Sequence, residues 1–150
     1  MTHDSGPDTL KHIGRVRYYL SEIRERLLIR GLAHDSSKLE EPEKSVFDEY
    51  TNKLKHTDYG SEEYKGFLEA MAPALAHHYA VNSHHPEHYE DGVDGMDLLD
   101  VVEMLCDWKA ATERTKNGDI RKSIEMNAKR FGLSVQLQCI LMNTVDRLGW

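Results

Sequence analysis

Every apolar segment of this chain repeats its apolar side chains at intervals of three and four residues, and no stretch alternates apolar with polar over a strand's length. Spacing of that kind gives a dry face only to a backbone turning through about 100° per residue, so it selects helix over sheet. The expected fold is all-α: one compact bundle of about five to seven helices spanning residues 1–150, a length sufficient for a single core.

The elements follow from the punctuation. Thr9 to Arg30 carries Ile13, Val16, Leu20, Ile23 and Leu27 on one side, with Asp8 or Thr9 as cap and Gly31 as stop, leaving residues 1–8 as a flexible lead. Pro42 opens a second helix with Val46, Phe47, Tyr50 and Leu54 on its inner side. Thr57 to Gly60 reads as a turn. Ser61 caps a third helix striped by Tyr64, Phe67, Leu68, Met71 and Leu75, which Pro73 is expected to kink or split. Ser83 to Gly95 is a polar loop. Met96 to Arg114 forms a long helix with Leu98, Val102, Leu105 and Trp108 inward, and Asp100, Glu103 and Asp107 roughly opposite. Asp119 caps a helix that buries Ile120, Ile124 and Phe131 and stops at Gly132. Ser134 opens the last, with Leu137, Ile140, Leu141, Val145 and Leu148 inward.

Composition excludes several roles. A net charge of −7 argues against strong nucleic-acid binding, which calls for a basic face. No run approaches the roughly 18 apolar residues of a membrane span, so no membrane partner is expected. The polar start, Met1 to Asp8, carries no apolar stretch of the kind a secretory leader needs. Cys106 and Cys139 sit within apolar helical patterns, which reads as buried free thiols in a reducing cytoplasm. Whether the chain forms a homo-oligomer is left open.

Histidine is the oddity. Five of the nine fall between His77 and His88. An acid-tuned switch is one use of such a cluster. Metal ligation is the stronger reading, because the order along the chain is His12, His34-Asp35, His78, His84 or His85, then Asp107. Imidazole and carboxylate together suit one or two ions of Mn, Fe, Co, Ni or Zn, with Mg also admitted, rather than Ca. His12 lies one turn before Val16 and should point inward. Asp35 alone reads equally as a helix N-cap before Ser36, but that leaves His34 unexplained. His78 continues the inward stripe three residues after Leu75, with Asn82 a turn later, while His77 faces sideways. Buried polar groups in such a stripe need partners or a cavity. Asp107 is either part of a solvated face or a ligand, and its neighbours Cys106, Trp108 and Ala110-Ala111 are unusually apolar for an acid. Lys38, three residues after Asp35, faces the same way on a helix.

These residues resemble a known pattern. His12-Ile13-Gly14-Arg15-Val16 is similar to the opening His-x-x-Arg-Val of HD-domain phosphohydrolases, and Ala33-His34-Asp35-Ser36-Ser37-Lys38 to their His-Asp-x-x-Lys signature. His78, the His84-His85-Pro86-Glu87 stretch and Met104-Leu105-Cys106-Asp107-Trp108 follow in the order of the later ligands, as in a small phage and bacterial branch. The likeness covers about residues 9–115, with helices over 119–150 appended. It implies an HD-domain-like bundle in which His12, His34, Asp35 and Asp107 hold one metal, and His78 with His84 or His85 a second that Asp35 bridges. The Gly-Tyr-Pro signature of cyclic-dinucleotide phosphodiesterases is absent after Asp91-Gly92, so the likeness does not extend to that substrate class.

The implied activity is a metal-dependent phosphohydrolase that uses a metal-activated water on a small phosphorylated substrate, a nucleotide, as a 5′-nucleotidase or dNTP hydrolase does. Lys38, His78 and His85 are the candidates for neutralising charge or moving protons, and the setting would be a cytoplasm, that of a host if the chain is phage-encoded. A di-iron oxygenase on the same ligands, or a protein that binds nucleotide and metal without turnover, are the alternatives.

Overall fold

Helical spacing in the sequence is met by helices throughout. The computed structural model describes residues 4–57, 61–114 and 116–150, and among them there are six α-helices, three short 3-10 helices and no strand. The chain is all-α, as its periodicity requires. Of the turn expected at Thr57 to Gly60, only Thr57 lies within the described residues, as does the lead of residues 1–8 only from residue 4 onward. The fold divides into two compact units, Met1–His34 and Asp35–Trp150.

The first unit is one helix, α1 (Gly6–Ala33). It starts earlier than the apolar stripe indicates, because Ser5 takes the N-cap position and Pro7 occupies the first turn, where its missing N–H costs nothing. Asp8 sits inside that first turn instead of capping it. Gly31 does not stop the helix, which runs to Ala33 with His34 at the C-cap. Taken by itself, a single helix has nothing to close over its stripe, and α1 encloses none of its own side chains, His12 included.

In the second unit a 3-10 turn, Ser36–Leu39, leads into α2 (Glu43–Lys55) and α3 (Glu62–Val81), which pack on each other. Ser61 caps α3 by accepting the Tyr64 N–H at 3.1 Å. Pro73 does not split α3, and the helix is continuous across it. A proline deletes one ladder bond, and burial of Met71, Ala74 and His78 on the face beside it holds the turns together. The loop that follows contains two 3-10 turns, Pro86–His88 and Gly92–Gly95.

The apolar core lies between α4 (Leu98–Thr112), α5 (Ile120–Phe131) and α6 (Val135–Leu148), and combines Met104, Leu105 and Trp108 with Ile120, Ile124, Ala128, Leu133, Leu141 and Val145. Gly132, at φ +64°, ends α5 in the left-handed conformation that lets Leu133 turn back into this core and donate to the Ala128 carbonyl at 3.0 Å.

Several inward assignments are corrected. The buried face of α4 is rotated towards its acids: Asp100 is 2% exposed and Leu98 70%. The acid face can turn inward because hydroxyl and imidazole partners wait there. On α6, Leu141 and Val145 take the buried positions and leave Ile140 and Leu148 more than half exposed. Cys106 and Cys139 are free but exposed, since Met104, Leu105 and Leu141 occupy the inward positions beside them. Among the described residues, no helix is long and apolar enough to cross a membrane.

Candidate metal centre

The turn after position 34 sets the centre. Asp35 has φ +55°, a left-handed backbone that aspartate tolerates better than most residues. Although it holds the N-cap position of the Ser36–Leu39 turn, its side chain makes no capping bond. Its carboxylate is used differently. Oδ2 accepts from Lys38 Nζ at 2.6 Å, and Oδ1 lies 3.3 Å from His78 Nε2 and 3.5 Å from His84 Nε2. In a 3-10 turn residues three apart eclipse one another, which is why Lys38 reaches back to Asp35. Burial opposes the charge on Asp35, but the His78, His84 and Lys38 contacts outweigh it and hold the carboxyl well below the usual range.

α3 delivers His78 in register with Met71 and Ala74, and the ring is 1% exposed. Its Nδ1 faces Glu43 Oε2 at 2.9 Å, while its Nε2 lies 3.0 Å from His85 Nε2. Glu43 is the closer of the two carboxylates that face the ring, which favours the proton on Nδ1 and leaves Nε2, between Asp35 Oδ1 and His85 Nε2, as the nitrogen that can ligate. Asn82 Nδ2 lies 3.0 Å and Ser37 Oγ 3.3 Å from Nδ1, and the Ser37 hydroxyl accepts from Asn82 Nδ2 at 2.9 Å while donating to Glu43 Oε2 at 3.0 Å. Glu43 is fully buried at the start of α2, and its second oxygen takes His77 Nδ1 at 2.7 Å. Burial raises the Glu43 carboxyl, yet His77, Ser37 and His78 together bring it below its ordinary value.

A second arm repeats the arrangement. His84, 2% exposed, places Nδ1 3.1 Å from Glu103 Oε1 on α4 and aims Nε2 at Asp35. His85 stacks on His84 with ring centres 4.1 Å apart. Burial, reinforced by the neighbouring His84 and His78 rings, pushes the His85 ring down to about 3, so it stays neutral. Asp35, His78, His84 and His85 thus each present a ligand atom within 4.8 Å of the others. Asp107, half-buried on α4, brings a carboxylate oxygen within 4.8 Å of one from Asp35.

The donor set fits a divalent transition ion. Neutral imidazole nitrogens and a carboxylate oxygen are borderline ligands, and each of two rings has its far nitrogen held by a carboxylate, the arrangement that orients ligating histidines. Of the residues singled out from sequence, the second unit brings together Asp35, Lys38, His78, His84, His85 and Asp107. His12 and His34 belong to the first unit. His77 is half-exposed beside the centre and is bonded to Glu43. Glu43 and Glu103 were not singled out as site residues, although both complete it.

A protein-family model described as "Family of unknown function (DUF5662)" matches residues 1–147. No curated protein and no solved structure matches the chain.

Proposed function

Because the chain belongs to the DUF5662 family, whose description carries no activity, its chemistry is read from its own side chains, and we propose that it is a metal-dependent phosphohydrolase acting on a small phosphorylated substrate, a nucleotide. The observation that carries this reading is the pair of carboxylate–histidine arms, Glu43–His78 and Glu103–His84, whose Nε2 atoms converge on Asp35 Oδ1 at 3.3 and 3.5 Å. Asp35, His78, His84 and His85 would hold the ion, with Asp107 beside Asp35 available to it or to a second. His12 and His34 enter the reading through the sequence motif alone.

A bound divalent ion would lower the pKa of a coordinated water towards neutrality and polarise a phosphoryl oxygen. The protein's own groups do the rest. His78 and His85 act as nitrogen donors and not as proton carriers, because the first has its Nδ1 committed to Glu43 and the second is held neutral. Lys38, bonded to Asp35 at 2.6 Å and only part-exposed, is an ammonium that could meet charge growing on a phosphoryl group in transfer.

The test is metal analysis of the purified protein, followed by a phosphate-release screen over nucleotides with Mn, Co, Mg and Fe. Phosphate release that requires added metal is the expected result. Absence of metal binding would refute the centre. Oxygen consumption by the ferrous protein, without phosphate release under any metal, would move the assignment to an oxygenase on the same ligands. Tight nucleotide binding with no turnover would make it a binding protein.

A further inference from the structure

Asp100 is a carboxylate buried to 2% exposure, a costly position unless its oxygens are fully used. They are. Oδ1 accepts from Ser83 Oγ at 2.7 Å, and Oδ2 accepts from Tyr89 OH at 2.6 Å and from the Asp97 backbone N–H at 2.9 Å. The last of these belongs to the capping box of α4 and is a helix-end device. The first two have no part in that box. They come from the two ends of the segment that carries His84 and His85: Ser83 immediately precedes His84, and Tyr89 follows the 3-10 turn Pro86–His88. One turn further along α4, Glu103 faces His84 Nδ1 at 3.1 Å. Tyr89 is fixed from its other side as well, because a Cβ added at Gly95 would meet Tyr89 Cβ at 2.8 Å.

We propose that Asp100 is a positioning residue that clamps both ends of the His84–His85 segment onto the first turn of α4, and so sets where these two rings meet Asp35. The inference rests on the reading of His84 and His85 as metal ligands and adds the group that determines their placement. A segment tied at both ends to one rigid carboxylate loses little further freedom when its rings bind a ligand, which raises affinity by lowering the ordering cost.

The capping duty of Asp100 is separable from the clamp. Ser83→Ala and Tyr89→Phe each remove one clamping hydroxyl and leave the Asp97–Asp100 box intact, so they form the test, singly and combined. Two quantities are read: the imidazole 15N and 1H resonances of His84 and His85 in metal-free protein, and the affinity for Co²⁺ or Zn²⁺ by titration calorimetry. The double variant should shift or broaden both sets of ring signals without added metal and weaken metal affinity by about 10–100-fold, the usual effect of losing an outer-shell partner. Asp100→Asn, which keeps an acceptor for Tyr89 and can donate to Ser83, should retain most of the parent's affinity. Ring signals and affinity unchanged in the double variant would overturn the proposal and leave Asp100 a capping residue only. If the parent binds no metal yet the ring signals respond, the clamp stands and the metal reading falls.

Discussion

Replacing Glu43 by leucine should cost metal affinity far more than it costs folding, and the reason lies in the atoms around His78 Nδ1. That nitrogen faces the Glu43 carboxylate, Oε2 at 2.9 Å, with Asn82 Nδ2 at 3.0 Å and Ser37 Oγ, whose proton goes to the same carboxylate, at 3.3 Å. With the carboxylate present, the proton sits on Nδ1 and Nε2 is free to ligate. With it gone, Ser37 Oγ can turn its freed proton to Nδ1, and the ring takes the other tautomer: Nδ1 accepts from Ser37, and a proton on Nε2 points at Asp35 Oδ1, where an ion would bind. The ligating tautomer loses one charge-assisted hydrogen bond, about 1.5–3 kcal/mol, which corresponds to roughly a 10–150-fold weaker affinity. Folding is largely spared, because the new tautomer finds its partners already in place, and His77, half-exposed, can turn to water. In a chain of this size each kcal/mol moves Tm by about 2–4 °C, so a fall of more than about 10 °C would show that the network is mainly structural. Glu43→Gln, which keeps one acceptor oxygen, should lie between parent and Glu43→Leu. The assays are titration calorimetry with Zn²⁺ or Co²⁺, and 15N chemical shifts of the His78 ring without metal. A Glu43→Leu protein that binds metal as the parent does, with His78 still protonated at Nδ1, would refute the tautomer argument.

Other substitutions separate the parts of the site. Asp35→Asn keeps a residue that accepts the left-handed backbone and removes the charge on which three contacts converge, so metal binding should vanish while the circular dichroism spectrum stays helical; retained metal content would remove Asp35 from the ligand set. Lys38→Ala should keep the metal and slow turnover by about 10²–10³-fold, measured as kcat for phosphate release; an unchanged kcat would make Lys38 a partner of Asp35 and nothing more. Gly95→Ala forces a Cβ to within 2.8 Å of Tyr89 Cβ, an atom that only a backbone shift can move, and should destabilise by about 1–3 kcal/mol in denaturant unfolding; an unchanged midpoint would show that the loop backbone yields without cost. Ile124→Ala, at 0% exposure in the core of α4, α5 and α6, should cost about 2–5 kcal/mol yet leave the metal affinity of the folded protein unchanged.

Where the sequence spoke clearly, one local rule decided the outcome. The phase of α3 read from Met71 and Leu75 puts His78 inward and His77 beside it, as the structure has them, and the three-residue spacing of Asp35 and Lys38 joins those two. The partly hidden features depend on long-range partners. Glu43 sits in a run with Glu40 and Glu41 at a helix start, where acids are favoured by the exposed N–H groups alone, so nothing local marks it as an orienting carboxylate. Glu103 and Asp100 looked like a wet face because their satisfaction comes from His84, Ser83 and Tyr89, residues 11 to 19 positions away. One signal was present: Asp100, Met104 and Trp108 are spaced by four, so the acid shares the stripe that is buried. The cysteines misled for the complementary reason, since apolar neighbours in sequence do not fix which of them takes the inward position.

If the proposed function holds, the charge around Asp35 also sets an order of events. Asp35, Glu43, Glu103 and Asp107 bring four carboxylates to the histidine cluster, and Lys38 is the ammonium bonded directly into it. Such a centre repels a phosphate group until cations have entered, because like charges at close range in a water-poor site interact strongly. Cation and phosphorylated compound should therefore bind as a cooperative pair, the cation first. By linkage, whatever factor the cation adds to the affinity for the phosphorylated compound, that compound must return to the affinity for the cation.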